Sequence, residues 1–253
     1  MTGVRVIRTL ALAVPLGLAA QRNDGRIAQG DSLYAARDVS GALAKYEAVL
    51  KDAPGEYDAL RKAARASTDL GEFEPSTSVR SEHFSRARQY AERAVKANGS
   101  GAEGQFELAR ALGRTALAAG IKERVRLATE VRAHALGALS HDPRHAGAMD
   151  VLGMWNAEVM RLSGLERAFA KAFLGGKVLG EANWGAAARY LEQAVALEPD
   201  RIVHHLDLAG VYRDVGKTGA ARAQYTWILN APLTEFNDAN YRKQAADALR
   251  GLK

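Results

Sequence analysis

The sequence predicts an all-α protein, a right-handed α-α solenoid of stacked helical hairpins, and three observations carry that expectation. Alanine supplies about one in five of the 253 residues, while Pro numbers only 6 and aromatics 7%, a balance that favours helix over strand. Past Gly25 the chain divides into helix-length stretches with apolar residues at period 3.6, separated by short breaks marked by Gly or Pro. The third observation is self-similarity. Ala42, Tyr46, Val49 and Pro54 recur at the same spacing as Ala187, Leu191, Ala194 and Pro199, and as Ala87, Ala91, Ala94 and Gly99. One residue out of step at its end, the pattern returns as Ala221, Tyr225, Ile228 and Pro232. A small residue lets two helices approach, larger neighbours fill the flanks, and Pro ends the helix. One hairpin cannot bury its own apolar stripe, so such hairpins must stack.

The elements follow in order from the amino terminus. Residues 1–20 place Arg5 and Arg8 before the apolar run Leu10 to Ala20, which Pro15 interrupts and polar Gln21 ends. That is the three-part pattern of a secretory signal peptide, and the run is about half the ~20 residues that a bilayer span needs. Cleavage after Ala20 removes both arginines and lowers the formal charge from +6 to +4, too modest to imply nucleic-acid binding. Residues 21–26 read as a linker and residues 27–253 as one helical repeat domain. First helices are expected near Ile27 to Arg37, Tyr57 to Leu70, Ala102 to Ala119, Ala146 to Leu162 and Ile202 to Val215, each with a small residue at Gly30, Ala64, Ala109, Gly153 or Ala209. Second helices are expected near Ser40 to Lys51, Glu82 to Lys96, Lys122 to His141, Asn183 to Leu197 and Thr218 to Leu229. Glu72 to Ser81, with Pro75 and a Ser/Thr cluster, reads as a polar loop, and Leu165 to Leu174 as an extra helix ended by Gly175 and Gly176. A last helix from Asn240 to Leu252, capped by Asp238, closes the final apolar face.

This spacing resembles the tetratricopeptide repeat, whose period is ~34 residues. Within that class the chain resembles the regulator of microtubule dynamics family. The residues that carry the likeness are Leu60 to Ala66, Gly120 to Val125, Leu152 to Trp155 with Leu165 to Ala168, then Pro199, Asn237 and Asp238, and Lys243 to Leu249. The resemblance spans Ala28 to Leu252, the extra helix included. It implies a helical-repeat scaffold, with microtubule association or phospholipid binding at organelle contacts as the roles described for animal members. An export signal would separate this chain from cytoplasmic tubulin.

Signs of catalysis or cofactor binding fail on inspection. With no Cys there is no disulfide, thiol chemistry or Cys-ligated metal. Gly216-Lys217-Thr218 matches the end of a phosphate-binding loop, but that motif needs Gly where Val211 stands, and no strand precedes it. His141 and His145 straddle Pro143, and His204 and His205 are adjacent, so neither pair has metal-ligand spacing on one helical face. No Gly-x-Ser-x-Gly string occurs, and Glu166, beside Arg167, has no second acid at catalytic spacing. Trp155, Trp184 and Trp227 sit in apolar helical patterns and read as core. The expectation is therefore a non-enzyme with no catalytic residue, metal or cofactor.

One constellation points to binding. Counted from the small landmarks, Arg61, Arg65, Arg110, Arg114, Arg161 and Arg213 fall on or beside the face that first helices turn to the concave side. Arg forks suit carboxylate and phosphate, and Tyr34, Phe106, Met154 and Leu206 supply apolar neighbours. Asp150, Glu158, Asp207 and Asp214 lie on the same helices and can neutralise the arginines internally. Two partners fit: an anionic peptide or protein segment along the groove, or a phospholipid-like amphiphile covered by Phe169, Phe173 and Leu174 of the extra helix.

Overall fold

The structure is a computed structural model that describes residues 16–164, 166, 168 and 178–252. Among those residues it is helical throughout: α1 (Leu16–Ala35), α2 (Val39–Asp52), α3 (Tyr57–Glu72), α4 (Thr77–Ala97), α5 (Ala102–Ala118), α6 (Ile121–His141), α7 (Ala146–Arg161), a 3-10 turn (Leu179–Glu181), α8 (Trp184–Leu197), α9 (Ile202–Asp214), α10 (Thr218–Asn230) and α11 (Asp238–Arg250). Helices pair in sequence as five hairpins, α1 with α2 through α9 with α10. The first helices α1, α3, α5, α7 and α9 also touch one another in succession, and α11 packs on α9 and α10. The expected solenoid of tetratricopeptide-like hairpins is the observed architecture.

The repeated spacing is buried wherever it occurs. Ala42, Tyr46 and Val49, Ala87, Ala91 and Ala94, Ala187, Leu191 and Ala194, and Ala221, Tyr225 and Ile228 are each at most 2% exposed. A further copy, Val131, Ala135, Ala138 and Pro143, lies on α6, with its three helical residues at most 5% exposed. It escapes a sequence search keyed to a small first residue, because Val131 stands in that place. The residue four on in each second helix meets the landmark of its first helix. A Cβ on Gly30 would run into the Tyr46 ring, and one on Gly153 would stand 2.5 Å from Leu191 Cγ. Ala64 and Ala91, Ala109 and Ala135, and Ala209 and Tyr225 share clusters in the same way.

Helix ends follow local chemistry. Asp38, Ser76 and Asn183 accept from backbone N–H groups of the first turns of α2, α4 and α8. Gly101 offers α5 no side-chain cap, and Tyr57 of α3 replaces it, its hydroxyl accepting from Gly104 N at 2.9 Å. Gly216 takes φ +75°, and Lys217 N donates to Tyr212 O at 2.8 Å. The Gly-Lys-Thr string is therefore a left-handed turn and a helix start. Arg37 holds the equivalent turn at φ +67° without the freedom of glycine.

Three boundaries differ from expectation. Residues 21–26 are helical, part of α1, because Arg22 and Arg26 reach Asp52 of α2 at 3.2 and 2.6 Å. The loop expected over Glu72 to Ser81 shrinks to residues 73–76, since its Ser/Thr cluster starts α4 and Glu74 Oε1 accepts from Ser76 N at 2.9 Å. Asp238 is not the cap of α11; its Oδ2 accepts from Thr234 N at 2.7 Å and Glu235 N at 2.6 Å and braces the preceding loop. Most of the extra helix Leu165 to Leu174, including Phe169, Phe173 and Leu174, lies outside the described residues, as do residues 1–15. Glu166 is described: its Oε2 accepts from Ser163 N at 2.8 Å while its own N donates to Ser163 Oγ at 3.2 Å, a capping box. None of the described helices is long and apolar enough to cross a membrane.

Gly153→Ala is expected to destabilise the fold by about 1–3 kcal/mol through overpacking on Leu191. Gly113→Ala, at a helical site with no atom within 4 Å of the new Cβ, is expected to be neutral or stabilising by about 0.5–1 kcal/mol. Urea denaturation of the two variants checks the pair, and equal midpoints would refute the close-approach account.

Candidate functional site

The concave face is a chamber rather than an open groove. Residues 231–241, between α10 and α11 and into α11, reach back to the second hairpin. Arg65 of α3 meets Glu235 Oε1 at 3.2 Å, Arg201 at the start of α9 meets Glu235 Oε2 at 3.4 Å, and Asn237 Nδ2 donates to Asp69 O at 3.0 Å. Phe73 and Tyr241 meet edge-on at 5.3 Å, and Phe236 packs on the core shared by the first two hairpins. The half-open chamber formed by this closure has a cavity volume of about 180 Å³, below the ~300–1,000 Å³ of drug-sized ligand sites.

Its lining falls into two chemical sets, here called walls. One is apolar: Ala116 and Leu117 of α5, Val125, Ala128 and Val131 of α6, Val151, Trp155 and Val159 of α7, then Leu162 and Leu179. Trp155, read from sequence as core, is 5% exposed and belongs to a buried cluster; it also lines the chamber, and its Nε1 donates to Ala128 O at 2.7 Å. The other wall is charged: Tyr34, Arg65, Asp69, Arg110, Arg114, Asp150, Arg201, His204, Asp207, Glu235 and Tyr241. Among the described residues no group of three or more His, Asp or Glu is arranged to hold a metal.

Of the residues expected in the groove, Arg65, Phe106, Arg110, Arg114 and Met154 line the chamber, and Arg61, Arg161 and Arg213 do not. All six expected arginines carry a carboxylate partner. Arg61 pairs with Asp58 at 2.6 Å, Arg161 with Glu158 and Asp214 at 2.5 Å each, and Arg213 with Asp214 at 3.1 Å. Arg110 pairs with Asp69 and, at 3.5 Å, with Glu107, while Arg114 pairs with Glu72. Arg65 also lies 4.4 Å over the Tyr34 ring, and Tyr34 donates its hydroxyl to Asp69. Burial pushes Glu107 up to about 7, with Arg110 and Arg65 opposing. Burial, reinforced by Asp150, also lifts Asp207 well above the usual carboxylate range against the pull of Arg114.

Sequence reasoning missed Arg201, Glu235, Tyr241 and Arg124. The first lies one residue before the helix that begins at Ile202, and Glu235 is 170 residues from its Arg65 partner, a pairing that no local pattern encodes. His204 and His205, considered for metal, are structural. His205 Nε2 faces Pro199 O at 2.8 Å, and its ring stacks on Trp227 with centroids 3.6 Å apart. His145 caps α7 through Nδ1, which accepts from Ala148 N at 3.1 Å.

Truncating Arg110, 14% exposed between Asp69 and Glu107, is expected to cost about 3–5 kcal/mol by leaving buried charge unpaired. A thermal shift of Arg110→Ala no larger than that of an exposed Arg would contradict this. His204 supplies a pH signature. Burial pulls its imidazole down, but Asp150 at 2.8 Å and Glu198 at 3.1 Å outweigh it and push it up to about 9. In turn the His204 bond, helped by Arg201 against partial burial, holds Glu198 down to about 2. An unfolded imidazole titrates near 6.5, so the stabilisation is complete below that pH and lost as pH rises through about 9. Between those limits the wild type should lose on the order of 2–3 kcal/mol that His204→Gln does not. Denaturant midpoints measured across the window test this, and parallel profiles would exclude it.

Comparison with known proteins agrees with the fold. The profile of the family described as Regulator of microtubule dynamics protein 1-3 matches residues 26–253. Among solved structures, the thermophilic TPR protein TTC0263 of Thermus thermophilus is similar with a TM-score of 0.64 and 24% identity, over 90% of this chain and 99% of that one. The pilF protein of Pseudomonas aeruginosa is similar with a TM-score of 0.50 and 14% identity, over 92% and 93% of the two chains. At those identities the likeness concerns the fold. Comparison with curated proteins gave no significant sequence match.

Proposed function

The chain belongs to the regulator of microtubule dynamics protein family, and from that premise we propose that it is an exported, non-enzymatic binding protein that holds an amphiphile in its concave chamber. The observation that carries this reading is the closure of the concave face by residues 231–241 over a wall of Val, Leu, Ala and Trp155 side chains. Open helical-repeat grooves suit extended segments. Here the chain's own Glu235 occupies the arginines Arg65 and Arg201 that an anionic peptide would need. What stays unfilled is apolar volume, which suits a hydrocarbon body, since burial of apolar area is worth ~25 cal/mol per Å². Docking of an anionic peptide or protein segment is the second reading. It is favoured by the Arg-rich first helices and needs the Glu235 bridge to open. Export rests on the amino-terminal pattern of residues 1–20, and it would place the chain apart from the tubulin that the family name invokes.

Native mass spectrometry of the chain purified from an exporting host without harsh detergent tests both parts. The expected result is a protein beginning at Gln21 that carries a reproducible extra mass of lipid size, with a lower melting temperature once that mass is removed. A bare mass with an unchanged melting temperature after extraction counts against the amphiphile. Retention of residues 1–20 counts against export.

A further inference from the structure

Among the described residues, the cations lining the chamber are neutralised by carboxylates with one exception. Arg65, Arg110, Arg114 and Arg201 have acid partners, and His204 lies between Asp150 and Glu198. Arg124, in the first turn of α6, lines the same chamber without an ion pair. One terminal nitrogen donates to Ala119 O at a long 3.5 Å, and its Nε is buried with no hydrogen-bond partner. Glu166 is held below its ordinary range first by its bonds with Ser163 and only then by the Arg124 charge, and it is committed to the Ser163 capping box. Glu158, also in the lining, is committed to Arg161 at 2.5 Å.

A buried guanidinium nitrogen without a partner is costly, and this one belongs to a residue that lines the chamber together with Val125, Leu117 and Leu162. A guanidinium with an unpartnered Nε and no ion pair, in a chamber lined largely by apolar side chains, is matched by one compact anion joined to a hydrocarbon chain. Its planar donors fit carboxylate and phosphate oxygens. Resting on the amphiphile reading above, we propose that Arg124 is the head-group residue of the chamber and that the ligand is a single-anion amphiphile, a carboxylate or phosphate monoester. Its head is bound at Arg124, and its chain runs along Val125, Val131 and Trp155. The charged wall then serves closure of the fold, while recognition of charge falls to a residue on α6.

Isothermal titration of the full chain with laurate, monododecyl phosphate and 1-dodecanol tests this. The controls are Arg124→Gln, Arg124→Lys and Arg126→Gln, the last an exposed residue of the same helix paired with Glu123 and Glu130. Arg124→Gln is expected to weaken the better-bound anion about tenfold or more while leaving 1-dodecanol unchanged. Arg124→Lys should recover part of the loss, and Arg126→Gln should bind as wild type. Anion binding, unlike 1-dodecanol binding, should also weaken with added salt. The ratio of laurate to dodecyl phosphate affinity in the wild type tells carboxylate from phosphate. Unchanged anion binding in Arg124→Gln, with 1-dodecanol still bound, overturns the head-group assignment and leaves the amphiphile reading standing. Loss of 1-dodecanol in Arg124→Gln makes the residue structural and also overturns the assignment. If none of the three probes binds the wild type, both readings fall.

Discussion

Each hairpin depends on one contact, the seat that a nearly bare position on the first helix offers to the residue four along the repeat of the second. In four of the five hairpins the volumes of the two partners trade off. Where the first helix has no side chain, at Gly30 and Gly153, the second sends in Tyr46 or Leu191. Where it has a methyl, at Ala64 and Ala109, the partner is itself alanine, Ala91 or Ala135. Ala209 and Tyr225 of the last hairpin share one buried cluster and do not follow this trade-off. Interiors pack to crystal-like density, so these pairs set the interhelix spacing, and the spacing sets how the first helices line up to make the inner face.

That inner face is not left to solvent. An array of first helices bearing Arg65, Arg110, Arg114, Asp69, Glu107 and Asp207 concentrates charge in a confined space, and such charge must be paired or neutralised. The chain meets the requirement in two ways. Acids from neighbouring hairpins meet the arginines, as Asp69 and Glu72 of α3 do for Arg110 and Arg114 of α5. The segment before α11 then brings Glu235 to Arg65 and Arg201. The second device ties the last repeat to the second and turns an open concavity into a chamber. Its apolar wall is what remains after the charged wall has been satisfied.

Expectations about the ligand shift accordingly. Arginines in register along first helices look, as a linear pattern, like a strip waiting for an anion. In three dimensions they hold the fold together, and the chamber-lining cation without an ion pair among the described residues is Arg124, at the start of a second helix. Trp155 keeps the core role its pattern predicts and lines the chamber as well.

What the sequence determined by itself is the repeat. Alanine content, helical periodicity and the four-three-five spacing of Ala42, Tyr46, Val49 and Pro54 encode helix, crossing and stop within a dozen residues. Such local information survives as a linear pattern, and the helices lie close to where it puts them. The Val131 copy was harder to see only because its first residue is not small. The tertiary structure alone decided which charges are spent on folding and which stay free, and whether the concave face is open. Coulomb energy depends on separation in space, and the partners concerned, Glu235 with Arg65 and Asn237 with Asp69, stand 170 and 168 residues apart along the chain. No local pattern carries that distance. Only the turn of the solenoid brings the two ends of the chamber together.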